Sequence, residues 1–207
     1  RRAFLDHFFA PDATNLKNGN EVELGNFLTL PYEVSELKRD GLELHLSAEG
    51  VVTSADGERN VTIEKRYTMK RRALFVEYAV KNNGPGSLEA CFAPEINLSF
   101  PDMDDLSLSL QTGKAEKTVA DNVCRDKHVK GFTAEDSKNG VTIKGRLNDE
   151  CDMLVRPVEA EWLDRTGRHR SYQSTCFLPL WQLQLAENER WTTLIQISFS
   201  RLIAPAG

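Results

Sequence analysis

The chain has 207 residues, 40% of them hydrophobic, with 26 basic against 31 acidic side chains and a formal net charge of −5. Ten Phe, three Trp and four Tyr supply too much aromatic bulk for a disordered chain. No stretch approaches the roughly 18 consecutive apolar residues of a membrane-spanning helix, and mild acidity argues against phosphate-backbone binding, which depends on clustered Lys and Arg. Neither a nucleic acid nor a membrane is therefore an expected partner.

The chain opens Arg1-Arg2-Ala3-Phe4, without an initiator Met or a secretory pattern, and reads as a piece of a longer polypeptide. Phe4, Leu5, Phe8 and Phe9 surround Asp6-His7, and a polar stretch runs from Asp12 to Asn20. So aromatic a segment predicts contact with a part of the polypeptide outside this chain: residues 1–30 are expected to be a packing segment, with Phe4, His7, Phe8 and Phe9 at the contact. The best helical candidate is Tyr32 to Arg39, stopped by Gly41.

From residue 42 onward apolar residues recur mainly with period two, the pattern of antiparallel strands. Leu42, Leu44 and Leu46 alternate with polar residues; Val61 and Ile63 follow the Asp56-Gly57 turn; Ala73 to Val80 forms a third run ending at Asn82-Asn83-Gly84-Pro85-Gly86. These three runs predict a meander. Leu106 to Leu110 alternates strictly with Ser, and Asn139-Gly140 is the strongest short hairpin signal, followed by Val141-Thr142-Ile143. Phe177 to Leu185 and Thr193 to Leu202 are two longer strands separated by Glu187-Asn188-Glu189. The count is eleven to thirteen strands with few short helices. No linker or internal repeat divides the chain, so the predicted architecture is all-β: one large antiparallel β-sandwich over residues 1–207.

Cys91, Cys124, Cys151 and Cys176 form no C-x-x-C pair, so neither a zinc site nor a redox motif is signalled. They are read as free thiols in a reducing compartment, which places the protein in the cytoplasm. Nucleophile-elbow, zinc-protease, P-loop and dinucleotide signatures are absent. His45 occupies a polar slot of an alternating strand and reads as a solvated residue. Asp102, Asp104 and Asp105 read as a solvated turn and are weak metal candidates. Glu159 and Glu161 share one face of a strand, which is more often an exposed polar face than a catalytic pair.

Glu95 and Asn97 project to one side of a strand while Ile96 and Leu98 project to the other, so a carboxylate and an amide emerge together. That pair is suited to sugar hydroxyls or to an internal polar network. Among the tryptophans, Trp181 lies in an apolar run and reads as core. Trp162 precedes the basic turn Asp164 to Arg170 and is the better candidate for stacking on a pyranose.

Several segments together, Arg2 to Phe8, Glu23 to Phe27 with Pro31 to Val34, Glu64 to Thr68, Leu74 to Asn82 and Glu95 to Leu98, resemble the C-terminal β domain of the α-amylase and 4-α-glucanotransferase branch of glycoside hydrolase family 57. The resemblance implies a galactose-mutarotase-like supersandwich. It also implies catalytic carboxylates on an N-terminal (β/α) barrel outside this chain, with no catalytic residue and no cofactor here. The expected role is a non-catalytic domain that stabilises the barrel and contacts an α-glucan or oligosaccharide, with Glu95, Asn97 and Trp162 as carbohydrate contacts. Two alternatives stand beside it: an autonomous mutarotase-like sugar enzyme, whose catalytic His and Glu pattern is not found in the sequence, and a purely structural assembly module.

Overall fold

A computed structural model describes residues 3–11, 22–38, 42–113, 115–119 and 123–201. Twelve strands follow one another: β1 (Leu5–Phe9), β2 (Glu33–Lys38), β3 (Glu43–Ser54), β4 (Gly57–Lys70), β5 (Ala73–Asn82), β6 (Leu88–Leu98), β7 (Leu106–Thr112), β8 (Glu116–Thr118), β9 (Cys124–Asp136), β10 (Val141–Asp164), β11 (Gly167–Leu185) and β12 (Arg190–Arg201). No helix occurs among the described residues. The helical candidate at Tyr32 to Arg39 is instead the edge strand β2, with Arg39 and Gly41 outside the described residues. A segment this short cannot offset the cost of helix nucleation, whereas the free edge of β3 offers it ladder hydrogen bonds from Glu33 to Lys38.

The strand order is β1-β6-β11-β10-β12-β5-β4-β3-β2, with β7, β8 and β9 branching from β10. The 24-residue β10 organises this path. Its first part, Val141 to Leu147, pairs with β12, and its second, Asp152 to Asp164, pairs with β11, while β9 follows the other edge. The register shifts between Arg146 and Cys151, the irregularity that lets a ribbon bend out of one sheet into another. One layer therefore contains β2-β3-β4-β5-β12 and the start of β10, and the facing layer contains β1-β6-β11 and its end.

Contacts between strands that are not sheet neighbours mark the space between the layers. Phe92 of β6 meets Tyr78 of β5 at 5.6 Å between ring centroids and Trp191 of β12 at 5.8 Å. Phe132 of β9 stacks on Phe177 of β11 at 3.9 Å. Gly145 lies opposite Phe132 in the β9–β10 ladder, and a Cβ there would sit 2.1 Å from Phe132 Cε1. Gly145→Val is expected to lower stability by at least about 1–3 kcal/mol through overpacking, read as a lower urea midpoint with an unchanged m-value.

The sequence signals map onto the local structure closely. The β3-β4-β5 meander forms in order, and Leu106, Leu108 and Leu110 are buried while Ser107 is exposed. At Asn139-Gly140 the chain turns with Gly140 at φ 61°, and Asp136 accepts from both the Asn139 backbone N–H and its amide at 2.9 and 2.8 Å. A second turn system centres on the fully buried Asn82. Its Nδ2 donates to the carbonyls of Gly86, Leu185 and Ala186 at 2.8, 3.1 and 3.2 Å, and its Oδ1 accepts from Gly84 N at 3.1 Å. One amide thus ties the β5–β6 turn to the β11–β12 turn.

Candidate functional site

Strand β1 presents Asp6 and Phe8 to the space between the layers and His7 and Phe9 to the outer face, as period-two alternation requires. Antiparallel pairing sets His7 opposite Ala93 and Leu5 opposite Glu95, so His7 and Glu95 meet diagonally on that outer face. The His7 ring is clamped between two carboxylates, with Nδ1 2.8 Å from Glu23 Oε2 and Nε2 3.3 Å from Glu95 Oε2, and its side chain is 15% exposed. Asn97 Nδ2 donates to Glu95 Oε1 at 2.5 Å. The other oxygen of Glu23 accepts from the backbone N–H groups of Phe8 and Gly25 at 2.8 and 3.1 Å.

Burial disfavours the His7 imidazolium, but the hydrogen bonds and charges of Glu23 and Glu95 outweigh it and raise the pKa to about 9. Glu95 in turn is held below the usual carboxylate range, chiefly by its hydrogen bond with His7. The result is a charged, hydrogen-bonded cluster that is well suited to fixing β1 on β6 and poorly suited to exchanging protons at neutral pH. Because the folded pKa lies above the ordinary value of 6.5, this stabilisation is complete below about pH 6.5 and disappears as pH rises through about 9. His7→Gln is therefore expected to lower the melting temperature most at pH 6, with the gap to the parent closing by pH 10. A constant gap across that range counts against the clamp.

A second polar group lies between the layers. Asp6 and Lys65 form an ion pair with side chains 1% and 4% exposed. Lys65 Nζ also donates to Phe4 O at 2.8 Å and sits 4.2 Å from the centroid of the Tyr32 ring, and the Tyr32 hydroxyl donates to Asp6. Burial pushes the Asp6 carboxyl up and the Lys65 ammonium down, each partly offset by the other's charge.

On the outward face of the first layer, β3, β4, β5 and β12 form an open trough of about 740 Å³, lined in part by His45, Ser47, Glu64, Arg66 and Thr192. Arg190 at its rim donates to Glu64 at 2.6 Å, and Arg66 donates to Glu43 at 3.0 Å. Charge-paired and rich in hydroxyls, this surface was not distinguished in the sequence, because its residues occupy the same outward slots as any solvated strand face. His45, expected to be solvated, is only partly so: its Nε2 lies 2.6 Å from Glu43 Oε1.

The structure brings Glu95, Asn97 and His7 together and adds Glu23. It does not bring Trp162 to them: Asn97 aligns with Cys176 on β11, whereas Trp162 aligns with His169, seven residues along the strand and more than about 20 Å away. Trp181, read as core, is 5% exposed. Phe8 and Phe9, expected to pack against a missing part, are 0% and 5% exposed within this chain. Phe8 fills the space between the layers against Phe27 and Phe92, and Phe9 joins an outer-face apolar cluster with Leu154 and Leu178. Their hydrophobicity serves this fold itself. Phe4 is half-buried against Tyr67, and the polar stretch from Asp12 to Asn20 lies outside the described residues.

Asp102, Asp104 and Asp105 form a turn in which Asp104 N donates to Asp102 Oδ1 and Lys138 approaches Asp102 and Asp105 at 4.0 and 3.9 Å. A backbone N–H of the turn and the Lys138 ammonium thus already serve as partners for these carboxylates. Among the described residues the group whose ligand atoms converge is Glu36, Glu43 and His45, and there Lys38 and Arg66 already neutralise the carboxylates.

The chain resembles several solved structures. A 4-alpha-glucanotransferase from Thermococcus litoralis superposes with a TM-score of 0.73 at 20% identity, covering 96% of this chain and 27% of that one. A putative aldose 1-epimerase from Escherichia coli K12 has a TM-score of 0.62 at 12% identity, covering 88% and 72%. A galactose mutarotase-like protein from Lactobacillus casei has a TM-score of 0.62 at 11% identity, covering 94% and 84%. At these identities the likeness shows the fold, a galactose-mutarotase-like sandwich. The chain spans about a quarter of the length of the glucanotransferase it matches. No curated protein matches it in sequence. Residues 1–195 match the family described as alpha-amylase/4-alpha-glucanotransferase, C-terminal, and the chain belongs to that family.

Proposed function

We propose that the chain is the accessory C-terminal domain of an α-glucan-acting enzyme of the glycoside hydrolase family 57 type, carrying no catalytic residue of its own. Its work is to hold and stabilise an N-terminal catalytic (β/α) barrel and to present a surface to the carbohydrate. The family match over residues 1–195 carries this reading. The site geometry supports it: Glu95, a carboxylate that stood out in the sequence, is tied to His7 and Asn97, leaving no acid and base facing each other across a scissile bond there. The buried thiols of Cys91 and Cys151, with Cys91 pushed up to about 12 by burial, support a reducing cytoplasmic setting.

The test is to prepare the catalytic part with and without this domain. Restoring the domain is expected to raise the melting temperature or the affinity for a long maltooligosaccharide; if neither changes, the reading fails. Polarimetry addresses the mutarotase alternative: glucose and galactose are expected to anomerise at the buffer rate in the presence of the chain, and a faster rate would assign it a chemistry of its own.

A further inference from the structure

We propose that the far end of the β10–β11 hairpin is a sugar-stacking platform, with Trp162 receiving the C–H face of a glucopyranose unit of an α-glucan. The inference rests on the α-glucan reading above and assigns the contact to particular atoms. β9 leaves β10 at Val155 and β6 leaves β11 at Thr175. Beyond them, Glu159 to Asp164 and Gly167 to Tyr172 pair only with each other as a two-stranded arm. Register divides the arm into two faces. One carries Glu159, Glu161 and Leu163 with Arg168 and Arg170, whose charges pair across the strands, Arg170 Nε lying 2.7 Å from Glu161 Oε1. The other carries Ala160, Trp162 and Asp164 beside Gly167, His169 and Ser171.

On that second face the indole is held in place. Trp162 stacks on His169 with ring centroids 5.4 Å apart and planes 18° from parallel. His169 Nε2 lies 2.7 Å from Thr166 Oγ1 and 3.0 Å from Asp164 Oδ1, and Asp164 also accepts from Thr166 N at 2.7 Å. A ring fixed in this way gives up little entropy on binding. The neighbouring positions are small, Ala160, Gly167 and Ser171, so no bulky side chain on this face blocks an approaching ring. Trp162 remains 48% exposed, whereas Trp181 is 5% exposed and Trp191 packs against the core. Asp164, His169 and Ser171 share this face of the arm with the indole and carry groups that bond hydroxyls.

Size selects a sugar over a protein. A stable protein interface covers roughly 800 Å² on each side, and a single indole amid small and polar residues offers no such apolar patch. The opposite face is charge-paired apart from Leu163. One pyranose ring matches one indole.

The experiment titrates the chain with maltoheptaose while following the Trp162 indole N–H resonance, with cellohexaose as the β-linked control. Maltoheptaose is expected to shift that resonance, and Trp162→Ala, with unchanged circular dichroism, to weaken binding by about tenfold or more. His169→Ala, which keeps the indole but releases it, is expected to bind a few-fold more weakly than the parent. An unmoved resonance, or equal affinity in Trp162→Ala, overturns the inference. If Trp162→Ala instead loses association with the catalytic domain and keeps maltoheptaose, the arm is a protein contact and the inference is overturned while the accessory-domain reading stands. If the parent neither binds maltoheptaose nor associates with a catalytic domain, that reading falls as well.

Discussion

Lys65→Met is expected to cost about 3–5 kcal/mol of folding free energy, because it leaves the Asp6 carboxylate buried without its cation. The pair lies between the layers with side chains 4% and 1% exposed, and Lys65 Nζ also bonds Phe4 O. A buried pair adds little net stability beyond an apolar replacement, but half of one is expensive. The double variant Asp6→Leu with Lys65→Met should therefore regain most of the loss, since neither charge remains to be desolvated. The pH dependence identifies the cause. Burial already raises the Asp6 pKa, with Lys65 opposing it; without Lys65 the folded pKa rises further above its unfolded value. Protonation then favours the folded state, so Lys65→Met is expected to be less destabilised at pH 5 than at pH 8. Chemical denaturation at the two pH values measures the difference, and equal losses would remove Asp6 as the explanation.

Asn82→Ala is expected to cost about 2–4 kcal/mol, because one truncation strands several buried backbone groups at once. The carbonyls of Gly86, Leu185 and Ala186 lose their donor and Gly84 N loses its acceptor. Asn82→Asp separates hydrogen bonding from shape. It preserves volume and the acceptor for Gly84 but sets a carboxylate against three carbonyl oxygens. At pH 7 it is expected to be at least as damaging as Asn82→Ala and to recover as pH falls to 4, where a protonated carboxyl donates one hydrogen bond. Guanidinium melts of both variants at the two pH values test this. A pH-independent Asn82→Asp would argue that the amide donates little.

Both variants concern polar residues in core positions, and these bear on what could be read in the sequence. Strands were legible wherever one face is wet: the Leu106 to Leu110 alternation and the meander emerged where expected. The layer assignment was less legible, because β11 is buried on both faces: Phe177 faces one apolar cluster and Leu178 the other. An apolar run without alternation carries no face information. Glu95 and Asn97 were found because a period of two on one strand suffices. Their partner His7 was not, since it comes from another strand through a register that sequence does not display.

Lys65 shows a signal that was present and passed over. It shares inward parity with Val61, Ile63 and Tyr67 on β4, so the alternation already placed an ammonium group inside and called for a buried carboxylate. Asp6 shares the parity of Phe8 in the same way. The β2 edge misled because the six residues Glu33–Lys38 are all exposed, and a strand without a buried face has no period to detect.

The 24-residue β10, which begins beside β12 and ends beside β11, makes each sheet a continuation of the other. Neither layer can peel away or slide without breaking a strand they hold in common, so melting is expected to be a single cooperative event. For a domain proposed to brace a neighbour, that continuity makes the sandwich a rigid girder: a push delivered at the β1 edge is carried along an unbroken hydrogen-bonded path to the β2 edge.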